Sequence, residues 1–351
     1  MFKDELAKIA KLIDDLIAND NFPDKIVPEY LRDAVRDYPS RGGKRLRPAL
    51  LMWSCGLVGG IPESAKFAGA SVEIYHNWTL VHDDIIDNDD FRRGQPSVHI
   101  KIAKFAKESF NLPELQALKY GTDMAMLAGD IQHGWAINML MKSSLAGIAP
   151  DIIGSLCNKL QLLVNRDLIS GEALDIELSV RPFAECEAQE IESMLTMKTG
   201  ALLRFCAESG ASIGLQKTDA REIAALGDFA ECLGIAFQLR DDWLGIFGDE
   251  KKLGKPIGSD ITAGKRTVLI TRTIAMANRK DSDFVLKSLG NKKVDMERIR
   301  TAIRESGAEE SVRIEIERLK IKALEILNGF PDSKYRELLG EMAGWMIERD
   351  N

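Results

Sequence analysis

The segment at residues 80–99, "LVHDDIIDNDDFRRGQPSVH", places five aspartates in the eight positions from 83 to 90. Like charges this close together repel one another, so helix stability alone does not explain them. In a helix, Asp83 and Asp87 lie one turn apart on the same face, and His76 lies close to the same line. Two carboxylates at this spacing are suited to Mg²⁺, which takes a few carboxylates together with the phosphate oxygens of a substrate. The segment therefore predicts a magnesium site, and the alternative is a solvated, acidic helix end.

The residues around this segment predict an all-α protein. Ile74, Leu80 and Val81 make the preceding helix apolar, so that the acids end a buried element. Residues 2–18 repeat apolar side chains at alternating steps of four and three, which is helical spacing. Further helices are predicted at 47–60, 62–88, 116–147, 150–177, 186–211, 218–247, 266–279, 294–306, 308–328 and 333–349, and a polar loop at 247–267.

We find no alternating strand pattern and no internal repeat. The expectation is a single domain over residues 1–351, a helical bundle around a central active-site cavity. Helices in 281–351 complete the bundle.

The composition argues against several classes of function. The chain has 351 residues, 45% hydrophobic and 29% charged, as in a globular protein with a large core. A net charge of −7 argues against nucleic acid as a partner. No apolar run approaches the roughly 20 residues that span a bilayer, and the first residues do not resemble a signal peptide. Five scattered cysteines without a CxxC pair predict buried thiols in a reducing cytoplasm.

A second acidic cluster ends another apolar helix. In "AFQLRDDWLG", residues 236–245, Gln238 precedes Asp241 and Asp242. A glycine-rich loop with Lys255 and Lys265 comes next. Two acidic helix ends in one all-α chain predict a shared metal cluster.

Basic residues indicate what such metals would bind. "SRGGKRLRP", residues 40–48, places Lys44 and Arg47 at a predicted helix N-terminus, and cations with free backbone amides there form an anion site. The alternative is a plain basic loop. Lys198 and Thr199 lie on an otherwise apolar helix, where the lysine could simply extend its amine to solvent. Together these groups suit two polyanions, one bound through metal and one bound by cations directly.

Five segments resemble motifs of the trans-prenyltransferase family, the short-chain isoprenyl and polyprenyl diphosphate synthases. They span roughly residues 40 to 270 and read "GGKRLRP", "HNWTLVHDDIIDNDDFRRGQPSVH", "LAGD", "KTGALL" and "FQLRDDWLGIFGDEKKLGKPIGSD". The resemblance implies an all-α homodimer with an isoprenoid synthase-like fold. It also implies that Mg²⁺ assists the head-to-tail condensation of isopentenyl diphosphate with an allylic diphosphate.

The resemblance implies a role for each matching residue. The diphosphate of isopentenyl diphosphate would be bound by Lys44, Arg47, His76 and Arg93. Three Mg²⁺ ions on the allylic diphosphate would be bound by Asp83, Asp87 and Asp241, with Asp84 and Asp242 in support. The allylic diphosphate would be neutralised by Arg92, Lys198, Lys255 and Lys265, and the reacting carbon would lie near Thr199 and Gln238. Asp130 of "LAGD" is more typical of a structural residue.

Two positions depart from the family pattern. The second acidic motif usually reads DDxxD, and here Gly245 occupies its last place. Since the first aspartate is the direct ligand in the family, we expect activity to survive with weaker metal binding. Glu172 stands where the family commonly has glutamine, and the sequence offers no reason for it.

Product length is predicted from the residues before the first motif. Trp78 and Thr79 lie five and four places before Asp83, where the family forms the floor of its product pocket. An aromatic residue followed by a small one resembles the archaeal type of geranylgeranyl diphosphate synthase. We therefore expect a C20 product, with C15 farnesyl or longer chains as alternatives, and Tyr75 as a further floor residue. Trp78 in an ordinary inter-helix core is the competing interpretation.

Three other functions stay open. A terpene cyclase would share the fold and one acidic motif, but would not need "GGKRLRP" for a second diphosphate. A silent partner subunit would be expected to lose acidic ligands that this chain keeps. A plain helical scaffold would leave the paired acids and the helix lysines without a purpose.

Overall fold

The computed structural model describes residues 1–249 and 257–348, and about 80% of the protein is helical. This confirms the all-α class. The chain folds as two compact units. Unit 1 comprises Met1–Cys157 and Ser209–Asp219, and unit 2 comprises Asn158–Glu208 and Ala220–Asn351. The single domain over 1–351 stays a prediction, as does a central cavity.

In chain order, the α-helices of the described residues are α1 (Phe2–Ala18), α2 (Glu29–Ser40), α3 (Leu46–Leu57), α4 (Lys66–Ile86), α5 (Val98–Phe110), α6 (Glu114–Met141), α7 (Pro150–Lys159), α8 (Asn165–Val180), α9 (Ala188–Leu195), α10 (Ala201–Leu215), α11 (Arg221–Phe247), α12 (Ser259–Thr262), α13 (Val268–Met276), α14 (Arg279–Ser288), α15 (Met296–Glu305), α16 (Ala308–Asn328) and α17 (Lys334–Glu348). Short 3₁₀ turns occur at Phe22–Lys25, Pro62–Ala65, Lys142–Ala146 and Phe183–Glu185. A two-residue hairpin joins β1 (Phe91–Arg92) to β2 (Gln95–Pro96). Within 1–249 and 257–348, no helix is both long and apolar enough to cross a membrane.

Helices α3, α4 and α6 form the interior of unit 1. Every residue from Pro48 to Leu57 is buried, including Trp53, and so is the ring of Tyr75. Helix α6 packs along both α4 and α5. Gly129 permits the close approach of α4, because a Cβ at this position would overlap the ring of His82.

Helix α11 runs through the interior of unit 2. It buries Phe229, Leu233 and Leu239 and packs on α16, which packs in turn on α17. Helix α8 packs against a π-helical turn that precedes α10. A Cβ at Gly171 would lie 2.7 Å from the backbone nitrogen of Lys198, so the glycine lets these two elements meet. This contact places Glu172 and Asp175 of α8 next to Lys198.

The structure differs from the predicted helix boundaries in two ways. The predicted helices at 150–177 and 186–211 are interrupted by π-helical turns at Leu160–Val164 and Thr196–Gly200. An inserted residue shifts the apolar periodicity only slightly, so the pattern did not reveal it. The sequence analysis also missed α2, α5, α14 and the hairpin, as well as the short α12, which lies in the predicted loop at 247–267. Helix α14, for example, buries only Val285 and Ser288, which leaves almost no apolar repeat to read.

Candidate active site

The first acidic motif lies at the C-terminal end of α4. The helix ends at Ile86, the Asp87 N–H donates to the Asp83 carbonyl at 2.8 Å, and Asn88 follows in the left-handed region with φ 54°. A helix C-terminus carries partial negative charge, so acids here reduce helix stability. Asp83 is half-buried and Asp87 is exposed. These two carboxylates are therefore accessible to a cation, at a stability cost that points to a function.

Asp84 has different surroundings from its neighbours. Its side chain is 1% exposed and accepts a hydrogen bond of 2.8 Å from Nε of Arg92. Its second oxygen accepts a hydrogen bond from the Tyr38 hydroxyl. The predicted allylic-diphosphate residue Arg92 is thus paired with an acid of the same motif. Asp84 has both carboxylate oxygens engaged within the protein.

A group of cations surrounds His76 on the same helix. Burial, together with the positive charges of Arg47 and Arg93, holds the pKa of His76 well below its ordinary value. The imidazole is therefore neutral at physiological pH. Lys44 is exposed and Arg47 is half-buried, whereas Arg93 donates a hydrogen bond to the Gly42 carbonyl. The four residues predicted to bind isopentenyl diphosphate lie in unit 1, and three of them, His76, Arg47 and Arg93, are electrostatically coupled.

Arg45 stabilises the backbone next to this cluster through buried ion pairs. It begins α3 with a left-handed φ of 51°, is 2% exposed, and pairs with Asp14 at 2.7 Å and with Glu73. Breaking a buried ion pair of this kind is strongly destabilising. Arg45 therefore fixes the junction between the loop that carries Lys44 and the first turn of α3, which carries Arg47.

In unit 2, Lys198 lies between two carboxylates. Its Nζ is 2.6 Å from Oε2 of Glu172 and 2.7 Å from Oδ2 of Asp175. Glu172, the departure that the sequence left unexplained, is therefore an ion-pair partner of Lys198. A glutamine at 172 would keep the contact without the charge.

The other predicted residues of unit 2 form a hydrogen-bonded chain. Thr199 donates to Oε1 of Gln238 at 3.2 Å, and Nε2 of Gln238 donates to Oδ1 of Asp242 at 2.9 Å. Burial and the nearby carboxylate of Asp260 raise the pKa of Asp242 to about 7. Asp241 is half-buried on the same helix. The carboxylate of Asp242 thus orients Gln238, and Gln238 orients Thr199.

A small cavity of about 90 Å³ brings these groups together. Its polar lining includes Asp175, Lys198, Thr199, Gln238, Asp242, Asp260 and Lys265. A Cβ added at Gly245 would lie 3.3 Å from Oδ2 of Asp260, so the position of the missing motif carboxylate faces an existing one. Lys255 lies outside the described residues.

The donor chemistry fits magnesium. Mg²⁺ usually takes one or two protein carboxylates and completes its shell with water and substrate phosphates. Asp83 and Asp87 in unit 1 and Asp241 in unit 2 supply such oxygens. Within 1–249 and 257–348, no group of three or more His, Cys, Asp or Glu side chains is arranged to hold a metal ion. Two carboxylates in unit 1 and one in unit 2 are within the number that Mg²⁺ takes from a protein when substrate phosphates complete its shell.

The predicted product-length residues lie inside unit 1. Trp78 is 6% exposed, and its ring packs on Tyr75 and on His133 of α6, with centroid distances of 4.8 and 4.9 Å. Thr79 is also buried and donates to the His76 carbonyl at 2.8 Å. The contact between Trp78 and α6 is the one expected of an inter-helix core residue. The role of these residues in product length stays a prediction.

The sequence analysis missed Tyr38, Asp175 and Asp260. Tyr38 lies on the unpredicted helix α2, six residues before Lys44. Asp175 lies three residues after Glu172, on the same helix face, which is a spacing that could have suggested a pair. Asp130, in contrast, is exposed and 4.0 Å from Nε2 of His82, outside these clusters.

Comparison with known proteins identifies the family. The family model for polyprenyl synthetase matches residues 28–306. A short chain isoprenyl diphosphate synthase of Methanothermobacter thermautotrophicus is 32% identical, over 99% of this chain and 98% of that protein. The solved structure of a geranylgeranyl pyrophosphate synthetase from Pyrococcus horikoshii has a TM-score of 0.85 at 33% identity, and covers 99% of both chains.

A second solved structure carries ligands. It is a geranylgeranyl pyrophosphate synthase from Corynebacterium glutamicum complexed with isoprenyl diphosphate and magnesium. Its TM-score is 0.82 at 31% identity, over 99% of this chain and 97% of that chain. A match over most of the chain in sequence and in fold leaves one conclusion. The chain belongs to the polyprenyl synthetase family and is a prenyltransferase of the isoprenyl diphosphate synthase type.

Proposed function

We propose that this protein condenses isopentenyl diphosphate with an allylic diphosphate, head to tail and trans, and that its main product is geranylgeranyl diphosphate. The observation that carries the proposal is the arrangement of α4. His76, with its surrounding arginines, and Asp83 lie seven residues apart on nearly one face, about 10 Å along the helix. One helix thus presents a site for an anion bound by cations and a site for an anion bound through metal. A reaction with two diphosphate substrates needs both.

The proposed cofactor is Mg²⁺, with three ions when the allylic diphosphate is bound and with Asp83, Asp87 and Asp241 as ligands. The magnesium in the Corynebacterium glutamicum structure supports the choice of metal. When bound, the metal supplies charge stabilisation for the departing diphosphate.

The residues of unit 1 bind and orient isopentenyl diphosphate. Lys44, Arg47 and Arg93 bind its diphosphate, and the neutral imidazole of His76 donates one hydrogen bond to it. The three cations and one neutral ring fix the diphosphate end, so the double bond at the other end has a defined position.

The residues of unit 2 act on the allylic substrate. Lys198 and Lys265 stabilise the negative charge that develops as the carbon–oxygen bond breaks. The oxygens of Thr199 and Gln238 lie near the carbon that becomes electron-poor. The double bond of isopentenyl diphosphate then forms the new carbon–carbon bond, and released pyrophosphate accepts the proton that is lost.

The C20 product is supported by the relatives named above, two of which are geranylgeranyl pyrophosphate synthases. Thr79 is a small residue one turn below Asp83, which leaves space beneath the reacting carbon. Farnesyl diphosphate or longer chains are the alternatives.

We also propose a homodimer in the cytoplasm. Helix α6 supports the dimer, because it exposes the apolar side chains Leu115, Leu118, Met126, Leu127 and Met141. All five cysteines are free thiols, which supports a reducing compartment. Light scattering across a range of concentrations tests the dimer, and a monomer at all of them contradicts it.

The function is tested by product analysis. Purified protein is incubated with isopentenyl diphosphate and, separately, with C5, C10 or C15 allylic diphosphates, and products are separated by chromatography after dephosphorylation. We expect pyrophosphate release only when both substrates and Mg²⁺ are present, loss of release with a chelator, and a C20 alcohol as the main product.

Other outcomes identify the rival functions. Pyrophosphate release from an allylic substrate alone, with a hydrocarbon product, would indicate a terpene cyclase. No reaction with any pair of substrates, in protein that is folded, would indicate a silent subunit.

A further inference from the structure

Behind the first acidic motif lies a set of contacts that none of the roles above uses. Asp84 is buried, and its two oxygens accept hydrogen bonds from Arg92 and from Tyr38. In a helix, Asp84 points about 100° away from Asp83. It therefore faces the hairpin and α2, whereas the accessible carboxylates are Asp83 and Asp87.

Tyr38 connects three elements. Its side chain is 1% exposed on α2, its hydroxyl donates to Asp84 at the end of α4, and the same oxygen accepts the Val98 N–H at 3.2 Å at the start of α5. A buried hydroxyl with both donor and acceptor roles filled is strongly fixed in position. Tyr38 therefore ties the end of α4 to the segment that follows the hairpin.

The residue after α2 holds the hairpin directly. Arg41 lies over the Tyr38 ring, 4.6 Å from its centroid, and donates to the carbonyls of Arg92 at 2.9 Å and Pro96 at 2.7 Å. Both strands of a two-residue hairpin are thus attached to Arg41, and β1 is attached to Asp84 as well. A hairpin this short has little stability of its own, so these contacts set its position.

The hairpin turn carries Arg93 into the cation cluster. Arg93 has a left-handed φ of 54°, and its guanidinium donates to the Gly42 carbonyl and lies within 3.5 Å of where a Cβ at Gly43 would be. Arg45, Arg47 and Arg93 all lie close enough to His76 to influence it electrostatically. Arg45, Arg92 and Arg41 repel Arg93 and Glu73 attracts it, so contacts that hold the hairpin help to keep Arg93 near the cluster.

We propose that Tyr38 is a positioning residue for isopentenyl diphosphate: with Asp84 and Arg41 it fixes the hairpin at residues 91–96 and so holds Arg93 in the diphosphate-binding cluster. This inference rests on the proposed function, because it takes the cluster to be the isopentenyl diphosphate site. Holding the cations in place before the ligand arrives removes an ordering cost from binding. A loss of this brace lowers affinity for the ligand of the cluster more than for the allylic substrate.

The first variant is Tyr38→Phe, which removes only the hydroxyl. Tyr30→Phe is the matched control, because Tyr30 lies on the same helix and its hydroxyl bonds to Tyr120, away from the hairpin. Isopentenyl diphosphate is titrated into metal-free protein by calorimetry. We expect Tyr38→Phe to raise the dissociation constant about fivefold, the effect of one hydrogen bond, and Tyr30→Phe to leave it unchanged. Equal values for the two variants overturn the proposal.

The second measurement is a double-mutant cycle with Arg93→Ala. If Tyr38 acts through Arg93, Tyr38→Phe has no further effect on the dissociation constant once Arg93 is removed. A full fivefold loss in that background overturns the proposal, because Tyr38 would then act by another route. Hydrogen exchange of the amides at residues 91–95 and 97 should also be faster in Tyr38→Phe than in Tyr30→Phe, and unchanged exchange counts against the brace.

A replacement variant and the binding of the unaltered protein complete the test. If Tyr38→Phe does not fold, Arg41→Gln replaces it, since Arg41 has no proposed role at either substrate and glutamine removes the guanidinium that donates to the carbonyls of Arg92 and Pro96, and the same selective loss is expected. Failure of the unaltered protein to bind isopentenyl diphosphate would contradict the proposed function itself. Normal binding by the unaltered protein and by both variants would contradict only the role of Tyr38.

Discussion

The two acidic regions differ in how their charges are balanced. In unit 1, Asp84 is paired with Arg92, and in the His76 cluster Arg45 is paired with Asp14 and Glu73 and Arg93 donates a hydrogen bond to the Gly42 carbonyl. In unit 2, four carboxylates lie near three cations: Glu172, Asp175, Asp242 and Asp260 accompany Lys198, Lys265 and Arg266. Asp242 shows the consequence, since burial and Asp260 raise its pKa to about 7.

This difference separates two ways of binding a polyanion. A cluster with surplus positive charge binds a diphosphate without help, whereas a cluster with surplus negative charge repels it until cations arrive. In the proposed function, unit 1 supplies a site for the first kind around His76 and accessible carboxylates for the second kind at the end of the same helix. Substitutions can test whether the two regions behave in these different ways.

The largest effect is expected from removing a carboxylate at the end of α4. Asp83→Ala or Asp87→Ala should lower turnover by orders of magnitude and leave the fold intact, because each carboxylate is a proposed metal ligand whose loss is worth several kcal/mol in the transition state. Steady-state kinetics over a range of Mg²⁺ concentrations measure it. Asp90→Ala is the control, since Asp90 is an exposed acid of the same cluster outside the motif. A near-normal rate with normal Mg²⁺ dependence in the Asp83 or Asp87 variant would exclude this role.

The next effect separates the two anion sites. Lys44→Ala and Arg47→Ala should each weaken isopentenyl diphosphate by roughly 10- to 100-fold, the effect of losing a charge-assisted contact, with much less change for the allylic substrate. The loss should be the same with and without metal, because the cluster needs none. A larger rise in the allylic Michaelis constant would mean that the two sites are assigned in the wrong order.

Much of this arrangement could be predicted from the sequence, and the exceptions have a common cause. The ordered motifs predict the family, and long apolar helices such as α4 and α11 predict the all-α class. Asp84 and Asp83 are neighbours with the same side chain, so nothing in the pattern distinguishes the buried, paired acid from the accessible one. Only the fold brings Tyr38 within reach of Asp84, across 46 residues of chain.

The same limit applies to Glu172. The sequence shows that residue 172 departs from the family pattern. The structural reason is the ion pair with Lys198, which lies 26 residues later. The π-helical turn at Thr196–Gly200 and the glycine at 171 create that contact, and neither has a periodic signal that could be read in advance. Long-range ion pairs are the part of the site that the sequence did not predict.

A third substitution adds charge to the acidic region. Gly245→Asp restores the motif carboxylate, but places it against Asp260, where a Cβ would be 3.3 Å from Oδ2. We expect no gain in rate and a stability about 1 kcal/mol lower than that of Gly245→Asn, since the two variants have the same size and differ in charge. Thermal unfolding with and without Mg²⁺ compares them. A large gain in rate would show instead that the natural chain lacks an essential ligand.

A fourth substitution removes charge from the same region. Lys198 pairs with Glu172 and Asp175, and Glu172→Gln removes the first of these two carboxylates and keeps the second. A lysine that is less neutralised attracts a diphosphate more strongly, so the allylic Michaelis constant should fall by about two- to fivefold. The constant for isopentenyl diphosphate should not change, because its proposed residues lie in unit 1. An unchanged or higher allylic constant would show that Glu172 helps to place Lys198 rather than to weaken it.

The smallest effect on turnover is expected at Trp78, where the product changes rather than the rate. If Trp78 closes the product pocket, Trp78→Ala should shift products towards longer chains at similar turnover, and Trp78→Phe should shift them less. Because its ring packs on Tyr75 and His133, Trp78→Ala should also lower the free energy of unfolding by about 3 to 5 kcal/mol. If the alanine variant does not fold, the phenylalanine variant still tests product length. Chromatography of the dephosphorylated products at equal conversion gives the distribution. Unchanged chain length in folded variants would place Trp78 in the inter-helix core alone, and the pocket floor would then be sought at Tyr75 or near Met126 on α6.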